Sequence, residues 1–370
     1  MDAMITRHAE VLIGYSLGLK KGESLLIQGE HFTLPLMKEC YRLALLAGGH
    51  PQVRITSSEL SEIMLKQGSD EQLAFIPESE MTSIATVDAV LNLMGSLNTR
   101  MMSNIDPERL KRASQSGAEL SKMFFERMSR GELRWCGTMH PGQANAQEAS
   151  MSLAEYQDFV YQACHLDLAD PVAKWREIET EQRRICDRLD KCRQIRIIAR
   201  DTDLRLSVEG RKWINCCGRA NFPDGEVFTG PVEDSVEGTI RFSFPGIYSG
   251  REVENIRLEF KQGRVVRAEA DKGGELLTKL LDTDEGARSV GEIAVGTNYG
   301  IRRFTRNMLF DEKIGGTVHL AIGRSIPESR GQNQSAIHWD MLCDMRRGGV
   351  IEADGNVIYR DGALDRKSVV

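Results

Sequence analysis

The pattern of hydrophobic residues changes near residue 194, and this change constrains the fold more than any other feature of the sequence. Before it, short apolar segments alternate with amphipathic stretches of helical spacing. After it, short segments of alternating apolar and polar residues follow one another closely, separated by turn residues such as Gln262-Gly263. The first pattern is typical of parallel βαβ units and the second of antiparallel sheets. The sequence therefore predicts two domains of different architecture, over residues 1–194 and 195–370.

The first half is predicted to form an α/β domain with Rossmann-like layering. The predicted strands are Ser24–Gln28, Gln52–Thr56 and Ala89–Met94, and the predicted helices are 4–18, Leu36–Leu46, Pro107–Met128 and 171–193. Neither of the glycine-rich patterns that hold the phosphates of dinucleotides or nucleoside triphosphates occurs in the chain. We therefore expect the layering without the dinucleotide fingerprint.

The second half is predicted to form a mainly antiparallel α+β domain. The predicted strands are Ile195–Ala199, Leu204–Val208, Gly238–Phe244, Ile256–Phe260 and Val265–Ala270. Residues that could perform chemistry are concentrated in four short segments of this half, and none stands out in the first half. The second half is therefore expected to carry the functional site.

Three of these four segments place a potential metal ligand in an apolar run punctuated by glycine. These ligands are Glu226, Glu292 and His319. Such runs are usually buried, and a buried charge requires a partner or a metal. The fourth segment contains His338 and Asp340, whose side chains leave the same face of an extended chain. Each residue alone has an ordinary explanation, such as a hairpin carboxylate or a hydrogen-bonded core histidine, so the pattern leaves both a metal site and these explanations open.

A glycine precedes each of the two glutamates in this set. Gly225 precedes Glu226, and Gly291 precedes Glu292. Because glycine has no Cβ, we expect the backbone at these positions either to turn sharply or to approach another segment closely.

Composition and charge narrow the range of partners and compartments. The 370 residues include 48 Lys and Arg against 54 Asp and Glu, which gives a net charge of −6 and argues against a nucleic-acid partner. No apolar run approaches the roughly 18–20 residues that span a bilayer, and no signal-peptide centre is evident. We therefore expect a cytoplasmic protein without membrane contact, whose eight cysteines are free thiols.

Motifs along nearly the whole chain resemble the M29 family of metalloaminopeptidases, of the aminopeptidase T and aminopeptidase S type. The most specific matches are Gly225–Thr229, Asp234–Gly238 and Phe310–His319, and weaker ones are Lys20–Ile27 and Leu46–Pro51. The resemblance implies a metal-dependent exopeptidase that removes N-terminal residues from peptides with a free N-terminus. It also implies an α/β N-terminal domain, a distinct C-terminal catalytic domain and a homodimer.

The same resemblance implies a dinuclear metal centre. Its ligands would be Glu226, Glu292, His319, His338 and Asp340. Either Glu292 or Asp340 would bridge the two ions, and Glu292 is the expected catalytic residue. Carboxylates and imidazoles suit Zn²⁺, Co²⁺ or Mn²⁺, and two such ions can activate a water and polarise the scissile carbonyl. The free α-amine of the substrate would take an open position on one ion.

One position departs from the family pattern and leaves two other functions open. Ile326 stands where the pattern has an active-site tyrosine. Losing one hydrogen-bond donor to a tetrahedral intermediate typically costs on the order of 10²–10³ in rate, so a weakly active or non-catalytic metal-binding homologue is one alternative. The other is a mononuclear non-haem Fe(II) ring-cleaving dioxygenase on the same scaffold, with His338, Asp340 and either His319 or another residue as its ligands. Glu292 favours the hydrolytic centre, because the resemblance to the dioxygenase relative implies a histidine, and not a glutamate, at that position.

Overall fold

The computed structural model describes residues 2–365 of the chain. Its α-helices are α1 Ala3–Glu10, α2 Leu34–Leu46, α3 Ser58–Gln67, α4 Asp70–Ala74, α5 Glu78–Thr86, α6 Pro107–Ser116, α7 Ala118–Ser129, α8 Gln143–Glu148, α9 Leu153–Ala163, α10 Pro171–Leu189, α11 Gly274–Leu281 and α12 Met308–Asp311. A π-helix spans Val11–Ser16, and 3₁₀-helices span His31–Thr33, Glu285–Arg288 and Pro327–Ser329. Among residues 2–365, no helix is both long enough and apolar enough to cross a membrane.

The strands of the first half are β1 Ser24–Glu30, β2 His50–Thr56, β3 Ala89–Met94 and β4 Arg134–Met139. Those that follow are β5 Gln194–Ala199, β6 Thr202–Ser207, β7 Ile214–Cys216, β8 Asn221–Phe222, β9 Glu226–Thr229, β10 Glu237–Arg241, β11 Gly246–Tyr248, β12 Arg251–Val253, β13 Arg257–Lys261, β14 Arg264–Glu269, β15 Val290–Gly296, β16 Thr317–Gly323, β17 His338–Asp344, β18 Val350–Ala353, β19 Asn356–Arg360 and β20 Ala363–Leu364.

These elements form two compact units. The first unit comprises the chain up to Val172 together with Gly218–Pro223, and the second comprises Ala173–Cys217 and the chain from Asp224 onward. The assignment of domains to residues 1–194 and 195–370 stays a prediction.

The first unit contains the predicted parallel sheet, with strand order β2-β1-β3-β4-β8. Helices connect the consecutive strands from β1 to β4, as parallel pairing requires. Leu25, Leu26 and Ile27 of β1 are all buried, so this strand is covered on both faces. The predicted α/β architecture of this half is confirmed.

Three predicted helices differ in detail from the structure. The segment Pro107–Met128 is not one helix, because α6 ends and α7 begins at Gly117, a weak helix former. The predicted helix 4–18 is α-helical only as α1, and Val11–Ser16 then continues as a π-helix. The helix that begins at Pro171 ends at Leu189 rather than at 193.

The second unit is built from antiparallel sheets, as predicted. The larger sheet has the order β14-β13-β10-β6-β5-β18-β19-β20, and the smaller has the order β17-β16-β15-β9-β7. Ile197 and Leu258 of the larger sheet share one apolar core with Val227, Ile293 and Leu320 of the smaller. Burying each of these side chains contributes roughly 1.5–3 kcal/mol, so the core holds one face of the smaller sheet firmly.

Candidate metal centre

Strand alternation in the smaller sheet separates the apolar core from the predicted ligands. Val227, Ile293, Val318 and Leu320 point into the core of the second unit. Since neighbouring residues of a strand point to opposite faces, the residues adjacent to these leave the other face. The predicted ligands all lie on that other face: Glu226 on β9, Glu292 on β15, His319 on β16, and His338 and Asp340 on β17.

Small residues stand directly opposite the predicted ligands across the strand pairs. Ala294 pairs with His319 and Gly296 with Glu226. On the other side, Ala321 pairs with both Glu292 and Asp340, and Gly323 pairs with His338. None of these four partners has a side chain larger than a methyl group, whereas Leu342 stands opposite His319 and Cys216 opposite Glu226 in the remaining pairs. Most of the space beside the ligand side chains is therefore left for them to converge above the sheet.

The convergence is visible in the distances around His319. Its Nε2 atom lies 3.3 Å from Glu292 Oε1, 3.6 Å from Glu226 Oε2 and 3.9 Å from Asp340 Oδ1. One imidazole nitrogen therefore faces three carboxylates that come from three different strands. Three ligand atoms, one each from Glu292, His319 and Asp340, all lie within 4.8 Å of one another. Groups at this spacing can bind the same ion.

His338 approaches the same carboxylates from the other side. Its Nε2 atom lies 3.4 Å from Asp340 Oδ1 and 3.7 Å from Glu292 Oε2. Glu292 thus directs one carboxylate oxygen at each histidine, with Oε1 toward His319 and Oε2 toward His338. The structure brings all five predicted residues together around these two histidines.

Backbone carbonyls determine which nitrogen of each imidazole faces the carboxylates. Nδ1 of His319 donates to the carbonyl oxygen of Glu312 at 2.9 Å, and Nδ1 of His338 donates to that of Arg324 at 2.7 Å. A carbonyl can only accept, so each Nδ1 carries the hydrogen and each Nε2 is directed at the carboxylates. Metal-binding histidines are usually held by such contacts.

Two carboxylate oxygens of this cluster lack a hydrogen-bond donor among residues 2–365. They are Glu226 Oε2 and Asp340 Oδ1, and both atoms are buried. Burying a carboxylate oxygen without a donor is costly, and a bound cation removes that cost. The buried carboxylates, the imidazole nitrogens and these two oxygens together fit a divalent metal ion.

The proton affinities of the cluster also reflect an excess of negative charge. Burial raises the pKa of Glu292, and the neighbouring Asp340 raises it further. Burial alone would lower the pKa values of the histidines, yet the facing carboxylates raise the pKa of His319 to about 10 and that of His338 to about 9. Without a metal, each imidazole is therefore protonated on both nitrogens, and positively charged, at neutral pH.

The two glycines that precede the glutamates behave as predicted. Gly225 adopts a φ of +123°, and a Cβ there would lie 2.7 Å from Cβ of Asn298. Gly291 approaches the carbonyl oxygens of Gly323 and Arg324 so closely that no Cβ fits. These close approaches fix the backbone immediately before Glu226 and Glu292.

Two further groups beside the centre were not predicted. Lys313 is fully buried, and its ammonium pairs with Glu312 and lies 3.7 Å from Glu226 Oε1. Cys216 lies directly opposite Glu226 in the β7–β9 pair, and with Asp224 they form a second group of potential ligands. Lys313 follows Glu312 within the Phe310–His319 motif, so the motif contains it, but nothing in the spacing indicates that its ammonium is buried.

The chain matches the family model described as thermophilic metalloprotease (M29) over residues 1–364. It belongs to the M29 family. Aminopeptidase T of Thermus thermophilus is 29% identical, with 98% of this chain and 97% of that protein covered. Aminopeptidase 2 of Geobacillus stearothermophilus is 26% identical, with 97% of each covered.

A solved structure has the same fold. The match to wild-type AmpT from Thermus thermophilus covers 98% of this chain and 98% of that chain, with 26% identity and a TM-score of 0.83. The family and these aminopeptidases confirm the predicted fold and the prediction of a metal-dependent exopeptidase that hydrolyses peptide bonds. They give no support to the ring-cleaving dioxygenase.

Proposed function

We propose that this M29 enzyme is an aminopeptidase with a dinuclear metal centre. The proposed ligands are Glu226, Glu292, His319, His338 and Asp340. The observation that carries the proposal is the position of Glu292, whose Oε1 lies 3.3 Å from His319 Nε2 and whose Oε2 lies 3.7 Å from His338 Nε2. A carboxylate that directs one oxygen at each of two imidazoles is arranged to bridge two ions.

Glu292 is the proposed catalytic residue, and Zn²⁺, Co²⁺ or Mn²⁺ are the proposed ions. When bound, such a pair lowers the pKa of a water and polarises the scissile carbonyl. The chain contributes a preorganised set of ligands, because the carbonyls of Glu312 and Arg324 already orient both imidazoles. Little reorganisation is then needed when substrate binds.

The proposed substrates are peptides with a free N-terminus. The aminopeptidases among the relatives support this class, and an α-amine suits an open position on a metal ion. The buried carboxylate of Glu226 and the half-buried carboxylate of Asp340 add negative charge that favours an ammonium or amine near the centre.

We also propose a homodimer and a cytoplasmic location, with no nucleic acid or membrane as partner. The dimer is supported by exposed apolar side chains around the edge strand β2 and helices α2 and α3: Leu45, Leu46, Ile55, Leu60, Ile63 and Met64. All eight cysteines are free thiols, as in a reducing compartment. Sedimentation equilibrium of the full chain tests the dimer.

The test of the function is metal removal and reconstitution. The chelator-treated chain is expected to lose hydrolysis of aminoacyl-amides, and Zn²⁺, Co²⁺ or Mn²⁺ to restore it as two ions bind per chain. N-acetylated versions of the same substrates serve as the matched control and are expected to resist cleavage. Equal cleavage of acetylated and free substrates would contradict an aminopeptidase, and one ion per chain would contradict a dinuclear centre.

A further inference from the structure

Lys313 is a lysine buried inside a group of acidic side chains. It follows α12 in the chain and has no exposed surface. Its ammonium pairs with the Glu312 carboxylate and lies 3.7 Å from Glu226 Oε1. A buried ammonium costs free energy unless opposite charges surround it, so these carboxylates and this lysine depend on one another.

The same carboxylate of Glu226 belongs to a second group of potential ligands. Cys216, Asp224 and Glu226 offer a sulfur and two carboxylate oxygens within 4.8 Å of one another. A thiol and two carboxylates could hold a divalent ion, and this group adjoins the proposed centre through Glu226. A cation on this side of Glu226 offsets the negative charge of the group, and the Lys313 ammonium, 3.7 Å from Glu226 Oε1, is in place to do so.

The two oxygens of Glu226 are divided between the two sides. Oε1 lies 3.7 Å from the Lys313 ammonium, whereas Oε2 lies 3.6 Å from His319 Nε2. Oε2 is also the buried oxygen that accepts no hydrogen bond among residues 2–365. Glu226 is thus held so that one oxygen meets the lysine and the other remains for the metal centre.

We propose that Lys313 is the resident cation of the Cys216–Asp224–Glu226 group and confines divalent ions to the side of Glu226 that faces His319. The proposal rests on the metal centre proposed above. Lys313 is a positioning residue, since it acts through Glu226. The preceding residue contributes to the same arrangement, because the Glu312 carbonyl accepts the hydrogen bond from His319 Nδ1. One dipeptide therefore orients a carboxylate and an imidazole of the proposed centre.

Cobalt(II) titration of the metal-free, full-length chain tests this division. A cobalt ion bound to Cys216 would give a thiolate-to-cobalt charge-transfer band in the near ultraviolet. The wild-type chain is expected to bind two cobalt ions without this band, and Cys216→Ser is expected to leave the number of bound ions unchanged. Lys313→Met, which removes the ammonium, is expected to gain the band, and Cys216→Ser in that background to abolish it. Lys279→Met, at an exposed lysine of α11, is the matched control and is expected to match wild type.

The outcomes separate this proposal from the proposed function. A thiolate band in the wild-type chain, or loss of an ion in Cys216→Ser, would overturn the role of Lys313 while leaving the metal centre in place. A folded Lys313→Met chain with the wild-type spectrum would overturn it as well. If removal of the buried charge prevents folding, a thiolate band in the wild-type chain or loss of an ion in Cys216→Ser still overturns the proposal, and the absence of both supports it. A wild-type chain that binds no cobalt would instead refute the proposed function.

Discussion

Nδ1 of His319 lies 2.9 Å from the carbonyl oxygen of Glu312, and this contact directs Nε2 of the ring at Glu292, 3.3 Å away. The hydrogen bond comes from the turn that leads into β16, so the imidazole is oriented by backbone before any ion binds. His338 is held in the same way by the Arg324 carbonyl. Both proposed histidine ligands are therefore fixed by the fold of the second unit.

Glu292→Gln tests the proposed catalytic residue. The amide keeps the size of the side chain but loses the charge that faces both histidines, so kcat is expected to fall by at least about a hundredfold. Circular dichroism and the thermal midpoint show whether the fold is retained. Glu259→Gln, at an exposed carboxylate of β13, is the control and should leave the rate unchanged. A Glu292→Gln chain that hydrolyses as fast as wild type would show that the site is assigned wrongly.

Metal binding is expected to release protons at neutral pH. In the metal-free chain the pKa of His319 is raised to about 10 and that of His338 to about 9, so a metal must displace a proton from each ring. The apparent affinity should then rise with pH, by up to about a hundredfold per unit below pH 9 for two displaced protons. Calorimetry in buffers of different ionisation enthalpy counts the protons. An affinity that stays constant between pH 6 and 8 would contradict the raised pKa values.

The same pKa shifts predict how the stability of the metal-free chain depends on pH. The folded state holds protons on these histidines that the unfolded state releases above its ordinary pKa of 6.5. Their contribution to the free energy of unfolding is therefore complete below that pH and declines as the pH rises toward 9 and 10. Urea unfolding of the metal-free chain across this range measures the decline. A free energy of unfolding that rises across the same range would contradict this sign.

Gly291→Ala tests the close approach before Glu292. A Cβ at this position would collide with the carbonyl oxygens of Gly323 and Arg324, so we expect a loss of about 1–3 kcal/mol in the free energy of unfolding and weaker metal binding. Gly274→Ala is the control, because a Cβ there meets no atom within 4 Å and the residue begins α11. That change should stabilise the chain by roughly 0.4–1 kcal/mol. Equal effects of the two substitutions would show that the contact at Gly291 is unimportant.

The shared face of His338 and Asp340 could be predicted from the sequence because strand alternation is a local property. His338 and Asp340 occupy the same face of β17 simply because they are two residues apart. The apolar neighbours of Glu226, Glu292 and His319 likewise indicate that these residues lie in buried strands. The register between strands brings the five residues within reach of one another, and register depends on tertiary structure. Their convergence was therefore predicted only from the resemblance to the M29 family.

Contacts between distant segments escape prediction for the same reason. Cys216 meets Glu226 only through the pairing of β7 with β9, and Lys313 reaches the same carboxylate from a turn nearly ninety positions further along the chain. The sequence shows a charged lysine in a motif, which would ordinarily be exposed. Only the packing around it shows that its ammonium has no exposed surface. The break of the predicted helix at Gly117 is different, since weak helix propensity there is a local signal.

Ile326→Tyr tests whether the missing phenol limits catalysis. Ile326 follows β16 by three residues and comes two residues after Arg324, whose carbonyl oxygen holds His338. A hydroxyl that donates to a tetrahedral intermediate is typically worth on the order of 10²–10³ in rate, so kcat is expected to rise by about tenfold or more. Ile326→Phe carries the ring without the hydroxyl and should give no such gain. If both variants have the wild-type rate, another donor of this chain already stabilises the intermediate, and the weakly active alternative loses its support.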